Sequence, residues 1–279
     1  MPFHTVVYNI PAAGVNAVNS DMTAANDTIL SQRNGHYIFT ENYRLLASYL
    51  GGASVIRGRI QCPTWNAIGE YTQFNANRSL NPPSNPQWDW NVASPPKIPL
   101  NEEFQFQTSN NLGAATEIEN AVLQLVPDNW TKNLPQNGRL TIPIRASFTV
   151  TPTLNAWSGG QQLTFSQSLR GGVYSVIGGA LQGSNAVAWR VIFPRMIPYF
   201  GRQLRPGNLC QASVGDVSPL QLDPYMTAYG EWGRFHTFEP PTVEVFGTNA
   251  ASTTYQLFLW LIYLGESLNF LDPSLQGSI

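Results

Sequence analysis

The sequence predicts an all-β protein made of two similar β-sandwiches in tandem, and three observations predict it. The first is a self-match at an offset of about 131 residues. Residues 50–63 read Leu-Gly-Gly-Ala-Ser-Val-Ile-Arg-Gly-Arg-Ile-Gln-Cys-Pro, and residues 181–194 read Leu-Gln-Gly-Ser-Asn-Ala-Val-Ala-Trp-Arg-Val-Ile-Phe-Pro. The second is a further match downstream, in the same order. Phe104-Gln-Phe106 leads through Ala114-Ala115 into residues 121–126, as Val243-Glu-Val245 leads through Ala250-Ala251 into residues 255–260. The third is phase. Ile56, Gly58, Ile60 and Cys62 share one face of a strand, as do Val187, Trp189, Val191 and Phe193, with Arg59 and Arg190 on the opposite face.

Each element follows from local chemistry. Residues 3–10 are a β-branched run stopped by Pro11, with a counterpart at 140–150 opened by Asn137-Gly138. Residues 12–33 are small and polar, and Ser20 or Asp21 is placed to cap a short helix through Leu30. Asn34-Gly35 turns the chain into a short strand at 36–39. Residues 40–50 have Leu45, Leu46 and Tyr49 at helical spacing, yet the aligned stretch 170–181 is broken by glycines, so strand is the reading. Gly51-Gly52 and Gly183 supply turns before the repeated strands, and Pro63 and Pro194 end them because proline has no ladder donor.

Long insertions follow the repeated strands at 64–100 and 195–241, both rich in proline and aromatics. Residues 128–136 read as an interdomain linker, giving domains at 1–134 and 135–279. Residues 257–264, the longest apolar run, are too short to cross a bilayer and read as a strand buried on both faces. A tail, 265–279, offers Leu268, Phe270, Leu271 and Leu275 for docking on a neighbour.

Composition narrows function. Charged residues are 11% of the 279, under half the usual share, so polar amides, hydroxyls or other protein must cover the surface. Net charge is -2, and Lys97 and Lys132 are the lysines, so there is no basic stripe for gripping nucleic acid through its phosphates. Cys62 and Cys210 read as free buried thiols. No secretory signal is evident at the start, and the sequons at Asn26, Asn77 and Asn129 mean little without one.

Catalytic patterns are absent. His4, His36 and His236 have no metal-ligand spacing, and neither a phosphate-binding glycine loop nor a nucleophile elbow occurs. The expected site is therefore empty: no catalytic, cofactor-binding or metal residue and no cofactor. Two alternatives stay open. Glu70, Asp89 and Glu231 lie in the insertions near tryptophans and could form a glycoside-hydrolysing carboxylate pair. Trp88, Trp90 and Trp232 could stack on a sugar, as in a spike or adhesin, or pin their own loops; pinning is favoured because neighbouring prolines already restrain them. Trp189 and Trp260 have strand phase and read as core.

The paired strands ending at Pro63 and Pro194, the two Ala-Ala turns and the overall length resemble the double jelly-roll major capsid proteins. These build the shells of membrane-containing icosahedral bacteriophages and of some adenovirus-like and algal viruses. The resemblance implies a double jelly roll and a homotrimer forming a pseudo-hexagonal capsomer of an icosahedral shell. It also implies synthesis in the host cytoplasm, residence in the virion, penton or minor capsid proteins as partners, and a lipid membrane beneath. It carries over no site residue, since the family's function is assembly.

Overall fold

The computed structural model describes residues 3–52, 54–68, 71–74, 88–89, 95–113, 117–128, 141–195, 203–211 and 230–271. The expected linker, the Asn137-Gly138 turn, Ala114-Ala115, Glu70, Trp90 and Leu275 all lie outside them or nearly so; Asp128 alone of the linker lies within. The strands, in chain order, are β1 (His4–Ala13), β2 (Ser20–Asp21), β3 (Thr23–Ala24), β4 (Ser31–Arg33), β5 (His36–Ile38), β6 (Tyr43–Gly51) and β7 (Val55–Gln61). A short helix, α1 (Pro63–Asn66), precedes β8 (Tyr71–Phe74), β9 (Trp88–Asp89), β10 (Glu103–Asn110) and β11 (Glu117–Pro127). Then come β12 (Thr141–Val150), β13 (Gln161–Gln162), β14 (Thr164–Phe165), β15 (Val173–Gln182) and β16 (Ala186–Ile192). The chain continues through β17 (Gly207–Gln211), β18 (Gly233–His236), β19 (Thr242–Gly247) and β20 (Thr253–Gly265) to a 3-10 turn at Leu268–Leu271. The protein is nearly all-β, as expected.

The described strands form three sheets. Their orders are β3-β1-β11-β6-β9, then β4-β5-β10-β7-β8 with β2 also on β10, then β13-β19-β16-β17-β15-β20-β12-β14 with β18 on β15. Strand β17 joins two groups in the third sheet, antiparallel to β16 and parallel to β15. On one side of it β15-β20-β12 follows the order β6-β11-β1, and on the other β16-β19 follows β7-β10. The irregularities correspond too. A bulge leaves Ile56 extra in β7 against β10 and Val187 extra in β16 against β19. Another leaves Leu46 extra in β6 against β11 and Ile177 extra in β15 against β20. Both pairs are separated by the 131 residues that separate the strand ends 55 and 186.

Those bulges correct part of the expected register. Gly58, Ile60 and Cys62 face the core, but Ile56 is half-buried and Val55 takes the inward place. Downstream, Ile60 faces Phe106 while Val191 faces Val243, so Phe106 rather than Phe104 is the counterpart of Val243. The sequence alignment was two residues out there. Strand periodicity is two, so a two-residue slip keeps every side chain on its face and leaves no trace in the pattern. The equivalent core positions Gly58 and Trp189 are filled differently: the Phe106 ring lies where a Gly58 side chain would be, whereas Trp189 fills its own space.

Other expectations change. Residues 12–33 form no helix, because strand edges capture their backbone groups: Met22 N–H donates to Phe106 O at 2.9 Å and Ala25 N–H to Val7 O at 2.8 Å. Asn34 and Gly35, with φ of 53° and 78°, make the tight turn between β4 and β5. The insertions are not plain loops, since β8, β9, β17 and β18 lie within them and join the sheets. These strands are short, which is why proline and glycine dominate the reading. Residues 257–264 are not buried on both faces: Leu257, Leu259 and Leu261 are core, while Phe258, Trp260 and Tyr263 are half-exposed. Trp260 is thus not a core residue of the sandwich. Phe270 and Leu271 of the tail pack against Val173, Ile177, Ile262 and Leu264 of the same chain.

Candidate functional site

The densest chemistry lies where the sheets of residues 4–127 meet those of 141–265. Strand β1 is apolar on both sides because it has packing on both sides. Val6 and Tyr8 belong to one core, with Leu45, Phe104, Phe106 and Leu123. Phe3 and Val7 belong to the other, with Trp189, Trp232 and Leu257. Strands β6 and β11 divide likewise: Ala47, Tyr49, Val122 and Val126 face the second core. The Leu46 bulge moves the chain from one phase to the other. Trp232 closes this seam, edge-on to Phe3 at 5.3 Å and 5.5 Å from Trp189 between ring centroids.

A buried polar network runs through the same seam. Arg190 on β16 donates from Nε to Glu244 Oε2 at 2.7 Å and from Nη1 to Asp27 Oδ2 at 2.6 Å. Its Nη1 also reaches Thr5 O at 3.3 Å, and its guanidinium lies 4.0 Å from the Trp157 ring centroid. Arg205 Nη1 donates to both Glu244 oxygens, at 3.1 and 3.0 Å. The His4 ring bridges Asp27 Oδ2 at 3.1 Å and the backbone N–H of Arg205 at 3.1 Å. Thr5 N–H donates to Arg205 O, and the Thr5 hydroxyl and Gln124 amide both donate to Gly207 O, each at 3.1 Å. Arg190 and Asp27 side chains are 1% and 0% exposed, so these charges are worth having only because each is multiply bonded.

The network sets its own protonation. His4 Nδ1 must accept from Arg205 N–H, so the ring proton sits on Nε2 and is donated to Asp27. Burial lowers the His4 pKa, against the pull of Asp27, and the ring is neutral. Burial opposes charge on Asp27 as well, but His4 and Arg190 outweigh it and hold the carboxyl well below its usual range. With the His4, Asp27 and Arg190 side chains buried, the arrangement clamps the sheets together.

The residues weighed for chemistry fare as follows. Trp232 is fully buried and pins the seam, so it is no sugar platform. Glu231 is buried, accepting from Ser175 Oγ at 2.8 Å and Arg234 Nη2 at 2.9 Å, and is not poised for acid–base work. Trp88 and Asp89 form β9 beside β6, and their side chains are outside the described residues. No group of three or more His, Cys, Asp or Glu that could hold a metal occurs among the described residues. No described helix is long and apolar enough to cross a membrane. Asp27, Glu244 and Arg205 escaped the sequence reading. The available signal was Arg190, a charge at the centre of an apolar strand in a chain poor in charge.

One further surface stands out. The outer side of β12 and β20 has a shallow depression lined by Pro143, Arg145, Ser166, Gln167, Phe258 and Trp260. Trp260 Nε1 is buried there and has no hydrogen-bond partner among the described residues.

No protein-family profile and no curated protein matches the sequence. Among solved structures, the chain is similar to the major capsid protein P2 from bacteriophage PM2, at 9% identity over 95% of this chain and 99% of that one, with a TM-score of 0.21. It is also similar to a chain from the Sulfolobus turreted icosahedral virus, at 10% identity over 98% and 94%, with a TM-score of 0.22.

Proposed function

We propose that the chain is a structural capsid subunit: two tandem jelly rolls, residues 1–134 and 135–279, derived by internal duplication and assembling as homotrimers in a virion shell. The observation that carries the reading is the correspondence of the two halves. Sheet order repeats, and bulges recur at Ile56 and Val187 and at Leu46 and Ile177. Bulges are placed features, so their recurrence at one offset favours duplication over a generic likeness of β-sandwiches. A duplicated subunit presents six similar units per trimer, which suits a hexagonal lattice. Burial of Trp232 and the ion pairing of Glu231 weigh against sugar binding or hydrolysis at those residues.

Light scattering on the purified chain tests this. The expected mass is three times 30.8 kDa, unchanged by glycans. A monodisperse monomer that binds sugars would overturn it.

A further inference from the structure

We propose that Glu119 is a proton-operated latch. With its proton bound it holds the loop between β1 and β2, residues 14–19, against β10; when the proton leaves, the loop is released. The device lies within residues 4–127 and does not depend on assembly.

The carboxyl sits where the second half has hydrocarbon. Leu123 faces Val6 and Ser48, as Leu259 faces Ile144 and Gly179, so Glu119 occupies the place of Tyr255. On the neighbouring strand Phe106 matches Val243, which sets Thr108 against Val245 and Asn110 against Gly247. Tyr255 and Val245 are plain core, and the Tyr255 ring stacks on Phe148 at 5.2 Å between centroids. The first half instead places a carboxyl, a hydroxyl and an amide at the end of its core.

Glu119 is as buried as Tyr255, at 0% exposure. Ile10 stands beside it on β1, and Thr108 and Asn110 bond it from β10, none of them titratable. Asn110 Nδ2 donates to Oε1 at 2.7 Å. Oε2 bonds the Thr108 hydroxyl, which can donate to a carboxylate or accept the proton of an acid. Among the described residues the charged group acting on Glu119 is Glu117, of like sign, whose two oxygens accept from Ser54 N–H at 2.9 and 3.1 Å. A carboxylate buried among neutral groups is costlier than the acid, so burial raises the Glu119 pKa above its ordinary 4.5, against its two hydrogen bonds.

Asn110 connects that proton to the loop. The same Nδ2 donates to Gly14 O at 3.0 Å, and Oδ1 accepts from Ala17 N–H at 3.0 Å and Leu112 N–H at 3.3 Å. Asn110 N–H donates to Ala17 O at 3.0 Å, and Asn16 N–H to Leu112 O at 3.1 Å. The loop so held presents Val15 and Val18 to solvent, 51% and 70% exposed. In the second half the matching turn has Asn155 left-handed like Asn16, and Gly247 holds it through main-chain bonds, having no side chain to add. Ionisation calls for water at the Glu119 carboxyl, and admitting it means parting Asn110 from Glu119 and from the loop. A closed state that binds the proton more tightly gives way to the open one as pH rises. Closure is fully supported below 4.5 and is lost as pH climbs through the closed-state value, the opposite sense to the acid-sensitive His4 seam.

Two measurements on the full chain test the latch. The carboxyl carbon resonance of Glu119 gives its titration midpoint, expected above 4.5. Hydrogen exchange at Asn16, Ala17 and Leu112, corrected for the intrinsic rate, gives loop opening. Opening should be constant below 4.5, rise by up to about tenfold per pH unit between there and the midpoint, and level off above it. Glu119→Gln, which mimics the protonated acid, should keep the loop closed at every pH. A midpoint at or below 4.5 overturns the proposal. So does a raised midpoint that loop opening ignores, or a Glu119→Gln loop that still responds to pH. Should that variant not fold, the two wild-type readings decide alone.

Discussion

Arg190 Nη1 lies 2.6 Å from Asp27 Oδ2, tying a strand of the second half to a turn of the first, with neither side chain measurably open to water. Removing the guanidinium leaves a buried carboxylate without its main partner. Arg190→Ala should therefore cost about 3–5 kcal/mol, read by urea unfolding. Arg190→Lys should recover little, since a single ammonium cannot serve Asp27, Glu244 and Thr5 O together. A loss under about 1 kcal/mol would show the seam to be solvated.

Acid should open the seam in two stages. The folded-state pKa of His4 lies below its ordinary 6.5, so below that pH the unfolded chain takes up a proton the folded chain refuses. Stability is complete above 6.5 and falls as pH drops beneath it. The carboxyl of Asp27 lies below its ordinary 3.8, so its contribution holds above that value and is lost in stronger acid. Melting temperature against pH should show both slopes; His4→Gln should abolish the upper one and weaken the lower, since His4 helps hold Asp27 ionised.

Trp232 fills the seam between Phe3 and Trp189, fully buried. Trp232→Ala should cost about 3–5 kcal/mol, detected as a lowered melting temperature. Were the tryptophan a sugar platform, the same change would leave melting unaltered and abolish glycan binding.

Gly207 allows β17 to approach β16: a side chain there would lie 1.8 Å from Trp189 O and 2.5 Å from Arg190 Cα. The backbone must move to admit even a methyl group, and Gly207 O is the acceptor for Thr5 and Gln124. Gly207→Ala should thus increase hydrogen exchange at Trp189 and Val191, whose amides face β17, and at Thr5 together, linking a strand pairing to the seam.

Cys62 and Cys210 should resist thiol reagents in the native protein. Burial, with the Glu102 carboxylate accepting from Sγ at 3.0 Å, pushes the Cys62 thiol up to about 12, and burial alone pushes Cys210 higher. Labelling should appear only on unfolding.

Much of this protein was determined locally and was legible in the sequence. Period-two alternation with β-branched and aromatic residues marks β1, β7, β10 and β16, and the two matched segments are both strands, Val55–Gln61 and Ala186–Ile192, because each residue's face is set by its neighbours. Trp189 could be placed in the core from phase alone. What the tertiary structure decided is everything that needs a partner distant in the chain. The bulge that trades Ile56 for Val55, and the two-residue correction that pairs Val243 with Phe106, depend on which strand lies alongside. Residues 12–33 carry a helix-capping residue, yet they became β2, β3 and β4 because β10, β1 and β5 offered them backbone partners. The fates of Trp232 and Trp260 were reversed relative to their settings: the loop tryptophan is core and the strand tryptophan lies on an outer face. Asp27 met Arg190 across 163 residues of chain. No local pattern encodes such a meeting, because the cost of burying either charge is met only when the two halves come together.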